Sequence, residues 1–179
     1  MTYAEARPAM RTGDLIATAA PGLVSRGIRK VTRSQVSHVA GVIELHLGLR
    51  RRLFVIEAHR ITGVALIALS VWVRRQRGRV WWWPECLKSS TQQQDYADEV
   101  LSHLGEPYEI DRYMLTHVAR GNRPRVNSRW YCSELDLAGR TAAGVDMSSV
   151  SPGHWPEDCV RLYGGTNKAA VLAGEGGAA

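Results

Sequence analysis

The feature that most constrains this chain is a series of short β-rich runs between Val36 and Trp83. Val36 to Leu45, Leu53 to Ala58, Val64 to Leu69 and Arg79 to Trp83 are rich in valine, isoleucine and aromatic residues. They are separated only by short turn-like stretches, and Pro84 stops the last. Strands joined so closely pair antiparallel, because a parallel pair needs a long crossover connection. A further strand, Leu15 to Thr18, is entered through the turn Gly13-Asp14.

Helical signals flank this meander. Leu23, Val24, Ile28 and Val31 recur at helical spacing after Pro21, leaving Arg26, Arg29, Lys30 and Arg33 for the wetter side. Thr91 is placed to cap a helix whose stripe is Tyr96, Ala97, Val100, Leu101 and Leu104, ending near Gly105 and Pro107. The last long helix is predicted from Ser128 to Ala143, with Tyr131, Leu135, Ala138 and Ala142 on its buried face. The expected fold is therefore α+β, a small, barrel-like antiparallel sheet packed against helices. One domain is expected over residues 1–163, followed by a flexible Gly/Ala-rich tail at 164–179.

Composition narrows the class. The 179 residues are 45% hydrophobic and 22% charged, which describes a globular protein rather than a disordered one. No apolar stretch reaches the ~20 residues of a membrane span, and Met1 to Thr12 lacks the apolar segment of a secretory signal. Cys86, Cys132 and Cys159 are odd in number and widely spaced, so they fit neither a disulfide framework nor a zinc site. A cytoplasmic chain with reduced thiols, no metal and no cofactor is expected.

The net charge of +6 favours acidic partners. Arg50-Arg51-Arg52 and the cluster Arg74, Arg75, Arg77 and Arg79 are the densest basic segments. The second is expected around an exposed strand or loop, facing anionic substrates or membranes. Trp81-Trp82-Trp83 follows it, and such interleaving also admits a nucleic-acid platform of phosphate contacts and base stacking. Strand alternation argues against that reading, since it sends at least one tryptophan into the core.

Chemistry concentrates elsewhere. Cys132 falls in the first turns of a predicted helix, where free N–H groups and the helix dipole favour a thiolate and can hold an oxyanion. His38 lies on one predicted strand and Glu57 on the next, so pairing would let the carboxylate hold the imidazole in its working tautomer. A glutamate in an apolar strand also needs such a partner to offset desolvation. His59 competes with Glu57, because i and i+2 share a strand face. Taken singly, Cys132 reads as a small buried hydrophobe, His38 as a strand histidine and Glu57 as an edge charge.

Six segments carry a resemblance. They are Arg11-Thr12-Gly13-Asp14-Leu15-Ile16, Ser37-His38-Val39-Ala40-Gly41-Val42, Ile56-Glu57-Ala58 with Gly63-Val64, Gly105-Glu106-Pro107-Tyr108, Trp130-Tyr131-Cys132-Ser133-Glu134-Leu135 and Ser151-Pro152-Gly153. In their order and spacing the chain resembles the circularly permuted papain-fold amidases of the YiiX-like type, a branch of the NlpC-type cysteine peptidases. The resemblance implies Cys132 as nucleophile, His38 as base and Glu57 as its orienting acid. Trp130, Tyr131 and Tyr108 would then line the substrate site. It implies hydrolysis of an amide or ester, in a cell-wall peptide or a lipid, with a catalytically inactive structural or phosphate-binding module on the same fold as the alternative.

Overall fold

The structure is a computed structural model that describes residues 1–108, 129–150, 156–165 and 169–172. Its elements are α1 (Tyr3–Ala6), β1 (Leu15–Ala19), α2 (Leu23–Thr32), β2 (His38–Leu47), β3 (Arg50–His59), β4 (Gly63–Ala68), α3 (Leu69–Arg75), β5 (Arg79–Trp83), α4 (Ser90–Ser102), α5 (Cys132–Ala142), α6 (Pro156–Arg161) and β6 (Ala170–Leu172). The six strands form one sheet in the order β4-β3-β2-β1-β5-β6, antiparallel at every pairing. The sheet is open, with β4 and β6 at its edges, so the barrel-like expectation is corrected to an open sheet. The edge strands β4 and β6, of six and three residues, pair only with β3 and β5, so no ladder joins them.

Strand alternation divides the core into two faces. Ile16, Ala40, Val42, Val55, Val80 and Trp82 pack against Tyr3 and Ala6 of α1 and Leu69, Trp72 and Val73 of α3. On the opposite face, Leu15, Ala17, Val39, Trp81 and Trp83 pack with Cys132, Leu137, Cys159 and Val160. Ile43, Ile56 and Ala58 continue that face beneath Tyr96, Val100 and Leu135. All three consecutive tryptophans are at most 4% exposed, which withdraws them from any base-stacking role.

Several elements depart from the sequence expectation. Helix α3 was not anticipated, although Leu69, Trp72 and Val73 show the i, i+3, i+4 spacing and are its buried residues. It places Arg74 and Arg75 at a helix end rather than on a strand or loop. The Arg50-Arg51-Arg52 run lies within β3, because Leu47 pairs with Arg50 across a tight turn containing Gly48 at φ +62°. Arg51 is committed internally, its Nε 2.8 Å from Glu44. Within the stretch expected to fray, Ala170–Leu172 pairs with β5 and Leu172 is 2% exposed. In α2, Leu23 is exposed; the helix is tied to the sheet instead by buried Ser25, 2.6 Å from Ser37. Ser89 rather than Thr91 caps α4, accepting from the Gln92 N–H at 3.1 Å.

Helix α5 is anchored by polar groups. Asp136 and Arg140 are 2% and 0% exposed and form a two-pronged pair at 2.7 and 2.9 Å, whereas Ala142, expected on the buried face, is exposed. Arg140 also donates to the Gly13 carbonyl at 3.3 Å and to Tyr163 at 2.5 Å, and the Tyr96 hydroxyl donates to Asp136 at 2.8 Å. These bonds satisfy a charge pair that burial alone would make costly. Tyr96 fits because Gly41 and Gly139 leave it room: a Cβ on Gly41 would lie 1.9 Å from its hydroxyl, and one on Gly139 2.7 Å from its ring.

Candidate active site

Helix α5 begins at Cys132, later than the Ser128 expected. Trp130 is held extended by a bridge to Tyr108, and the Tyr131 N–H is captured by the Glu134 carboxylate at 3.0 Å. Cys132 is thereby the first helical residue, among the N–H groups that lack intrahelical partners. Its neighbours in the core include Trp81, Val39 and Leu137.

His38 is the first residue of β2, paired with Thr18 of β1 and lying beyond the β2–β3 ladder, which starts at Gly41–Ile56. Its Nε2 is 2.6 Å from Oε2 of Glu57. Glu57 is 6% exposed and sits in β3 opposite Ala65. The same Oε2 accepts the indole N–H of Trp72 at 2.8 Å. Glu57 thus belongs with the α3 face of the sheet and Cys132 with the α5 face. His38, at the strand end, lies between them: beside its bond to Glu57, its ring is near enough to Cys132 for that side chain to shift its pKa.

The charges follow from these contacts. Burial by itself pulls the His38 imidazolium down, but the charge and hydrogen bond of Cys132, and then those of Glu57, push its pKa up to about 10. Burial alone would raise Glu57, yet its bond to His38, the charge of His38 and the Trp72 bond hold it below the ordinary carboxylate value. His59 is not part of this chain of contacts. It is exposed, and its Nδ1 accepts from the Ile61 N–H at 3.3 Å within the β3–β4 turn.

The three aromatic residues separate. Tyr108 and Tyr131 are half-buried and meet edge to face, ring centroids 5.8 Å apart. Burial and then the charge of Cys132 raise the Tyr108 phenol above its usual range, so this ring stands near the sulfur. Trp130, by contrast, is 3% exposed, donates to Glu106 and packs on His103 with centroids 4.2 Å apart; it is a core residue. Trp72 is the participant that sequence reasoning missed. The helical spacing of Leu69, Trp72 and Val73 was the available signal. The segment Ser151-Pro152-Gly153 lies outside the described residues.

Two further thiols are buried. Burial pushes Cys86 up to about 12 and Cys159 well above its ordinary value, despite the charge of Arg140. Both are neutral thiols at neutral pH. Among the described residues, no three His, Cys, Asp or Glu side chains form a group able to hold a metal ion, and no helix is long and apolar enough to cross a membrane.

An open antiparallel sheet with helices on both faces makes up a YiiX-like α+β fold. The crystal structure of the metalloprotein yiiX from Escherichia coli O157:H7 matches 94% of this chain and 99% of its own, with a TM-score of 0.62 at 20% identity. At that identity the likeness is one of fold. No protein-family model and no curated protein matches the sequence. Among the described residues, His38, Glu57 and Cys132 do not form a group able to hold a metal ion.

Proposed function

We propose that this protein is a cysteine hydrolase that cleaves an amide or ester bond, with its catalytic residues in the order of a circularly permuted papain fold. The observation that carries the reading is His38, bonded to buried Glu57 and electrostatically coupled to Cys132 at a helix start. With Nε2 engaged by Glu57, Nδ1 is the nitrogen left for the sulfur.

In this mechanism the Cys132 thiolate attacks the substrate carbonyl carbon. The N–H groups of the first turn of α5 stabilise the oxyanion. His38 gives its proton to the leaving amine or alcohol as the C–N or C–O bond breaks, and an S-acyl enzyme remains. Water then enters, His38 takes its proton, and hydroxide displaces the sulfur to release the acid. Glu57 keeps Nδ1 facing the sulfur and stabilises the imidazolium formed in the second step. Tyr108 and Tyr131 flank the acyl group. The substrate is a cell-wall peptide or a lipid acyl group.

The test is hydrolysis of a panel of acyl esters, lipid amides and muropeptides by the wild type and by Cys132→Ala. Activity confined to the wild type supports the reading. Activity that persists in Cys132→Ala, or labelling of Cys132 no faster than of Cys86 and Cys159, overturns it.

A further inference from the structure

At the end of the sheet that carries His38, a groove of about 420 Å³ is lined by Ala19, Arg29, Ser34, Gln35, Arg79 and Trp81. Arg79 opens β5 opposite Ala19, and the next row of the sheet is Val80–Thr18–His38. With neighbouring strands ~4.8 Å apart, that row puts the β5 backbone about 10 Å from His38. Val80 faces α1 and α3, so Arg79, one residue away, lies on the side of Trp81, the face that holds Cys132. The groove therefore lies on the face of the sheet that holds Cys132, one row beyond His38.

Its charge is unbalanced. Among the described residues, neither Arg29 nor Arg79 has a carboxylate partner; Arg29 Nε reaches only the Ser25 carbonyl of its own helix, at 3.4 Å. Glu157, which meets the groove residue Ser34, is engaged by the Ser34 hydroxyl at 2.5 Å and by Arg161 at 3.5 Å. Two guanidinium side chains, polar Ser34 and Gln35, and buried Trp81 thus line one groove. Guanidinium groups of this kind suit an oxyanion.

We propose that Arg29 and Arg79 form a subsite for an acidic group of the substrate, a carboxylate or a phosphate, set beside the scissile carbonyl. This rests on the hydrolase reading and narrows its substrate to anionic acyl compounds.

Three alkylating probes test it: N-bromoacetyl-β-alanine, N-bromoacetyl-aminoethyl phosphate and the neutral N-bromoacetyl-β-alaninamide. The rate of Cys132 labelling is followed by peptide mass spectrometry. The acidic probes are expected to react faster than the amide by about 3- to 10-fold, the scale of one or two exposed charge pairs. That ratio should fall in Arg79→Gln and in Arg29→Gln, be retained in Arg79→Lys, and shrink as salt is raised. The probe whose advantage falls more identifies carboxylate or phosphate as the preferred group. An acid-to-amide ratio near one, or one unchanged by the arginine substitutions, overturns the subsite and leaves the hydrolase standing. Failure of Cys132 to react preferentially with any probe overturns the hydrolase reading and the subsite with it.

Discussion

The indole N–H of Trp72 and the imidazole of His38 bind the same oxygen of Glu57, at 2.8 and 2.6 Å. One carboxylate thus ties a helix on one face of the sheet to the histidine at its end. Trp72→Phe keeps the buried ring and removes only the donor. Losing a hydrogen bond to a charged acceptor is expected to cost about 1.5–3 kcal/mol, read by denaturant unfolding. Cys132 labelling by iodoacetamide should slow as well, since Glu57 is then free to turn from His38. A stability loss with unchanged labelling would make Trp72 a packing residue only.

His38 is expected to titrate near pH 10 in the folded protein, followed by NMR of ¹³C-labelled histidine. Its folded value lies above the ordinary 6.5, so protonation contributes stability that is fully present below about 6.5 and lost as pH rises through about 10. The stability difference between wild type and His38→Ala should shrink over that window. In Cys132→Ser, which replaces the side chain that raises it, His38 should titrate below 10. An unchanged titration there would mean that the sulfur does not face the ring.

Iodoacetamide near neutral pH should label Cys132 ahead of Cys159 and of Cys86, which is as exposed as Cys132 at 7% but whose pKa burial raises to about 12. The preference should collapse in His38→Ala and fall less in Glu57→Gln, which keeps the shape of the side chain but not its charge. Time-resolved peptide mapping measures all three sites in one sample.

Gly41 and Gly139 let α5 approach the sheet through Tyr96. Gly41→Ala forces a methyl group into the space of the Tyr96 hydroxyl, displacing its bond to Asp136. Overpacking of this kind is expected to cost about 1–3 kcal/mol. Because α5 carries Cys132, labelling of that thiol should slow too. Thermal melts and labelling rates on one preparation decide the point.

Arg140→Met removes one partner of a buried pair and leaves Asp136 charged and uncompensated. A loss of about 3–5 kcal/mol is expected from denaturant unfolding. Adding Asp136→Leu should recover part of it, since the stranded charge is then gone. No recovery would assign the loss to the bonds with Gly13 and Tyr163.

The sheet was legible in the sequence because its signal is local. Short β-branched runs with brief connections permit only antiparallel neighbours, and β1 to β5 lie where that pattern put them. The candidate residues were legible for a similar reason: an acid in the apolar run around Glu57, a histidine on the run before it, and a cysteine at a helix start each stand out against their neighbours. Helix α3 was not read, because its buried residues, Leu69, Trp72 and Val73, continue an apolar stretch that also suits a strand. Short apolar runs do not distinguish the two.

What only the tertiary structure decided is which groups meet. Glu57 and His59 share a strand face and were equivalent by spacing; the end of the β2–β3 ladder brings Glu57 to His38 and leaves His59 exposed at the end of β3. Trp72 reaches Glu57 from a helix whose position depends on long-range packing. Asp136 and Arg140 look like solvated residues in sequence, yet they are buried because each supplies the other's counter-charge and Tyr96, Tyr163 and Gly13 complete their bonds. Periodicity records how a side chain is placed relative to its own element, whereas partners across the sheet are chosen by register and by the need to satisfy every buried charge.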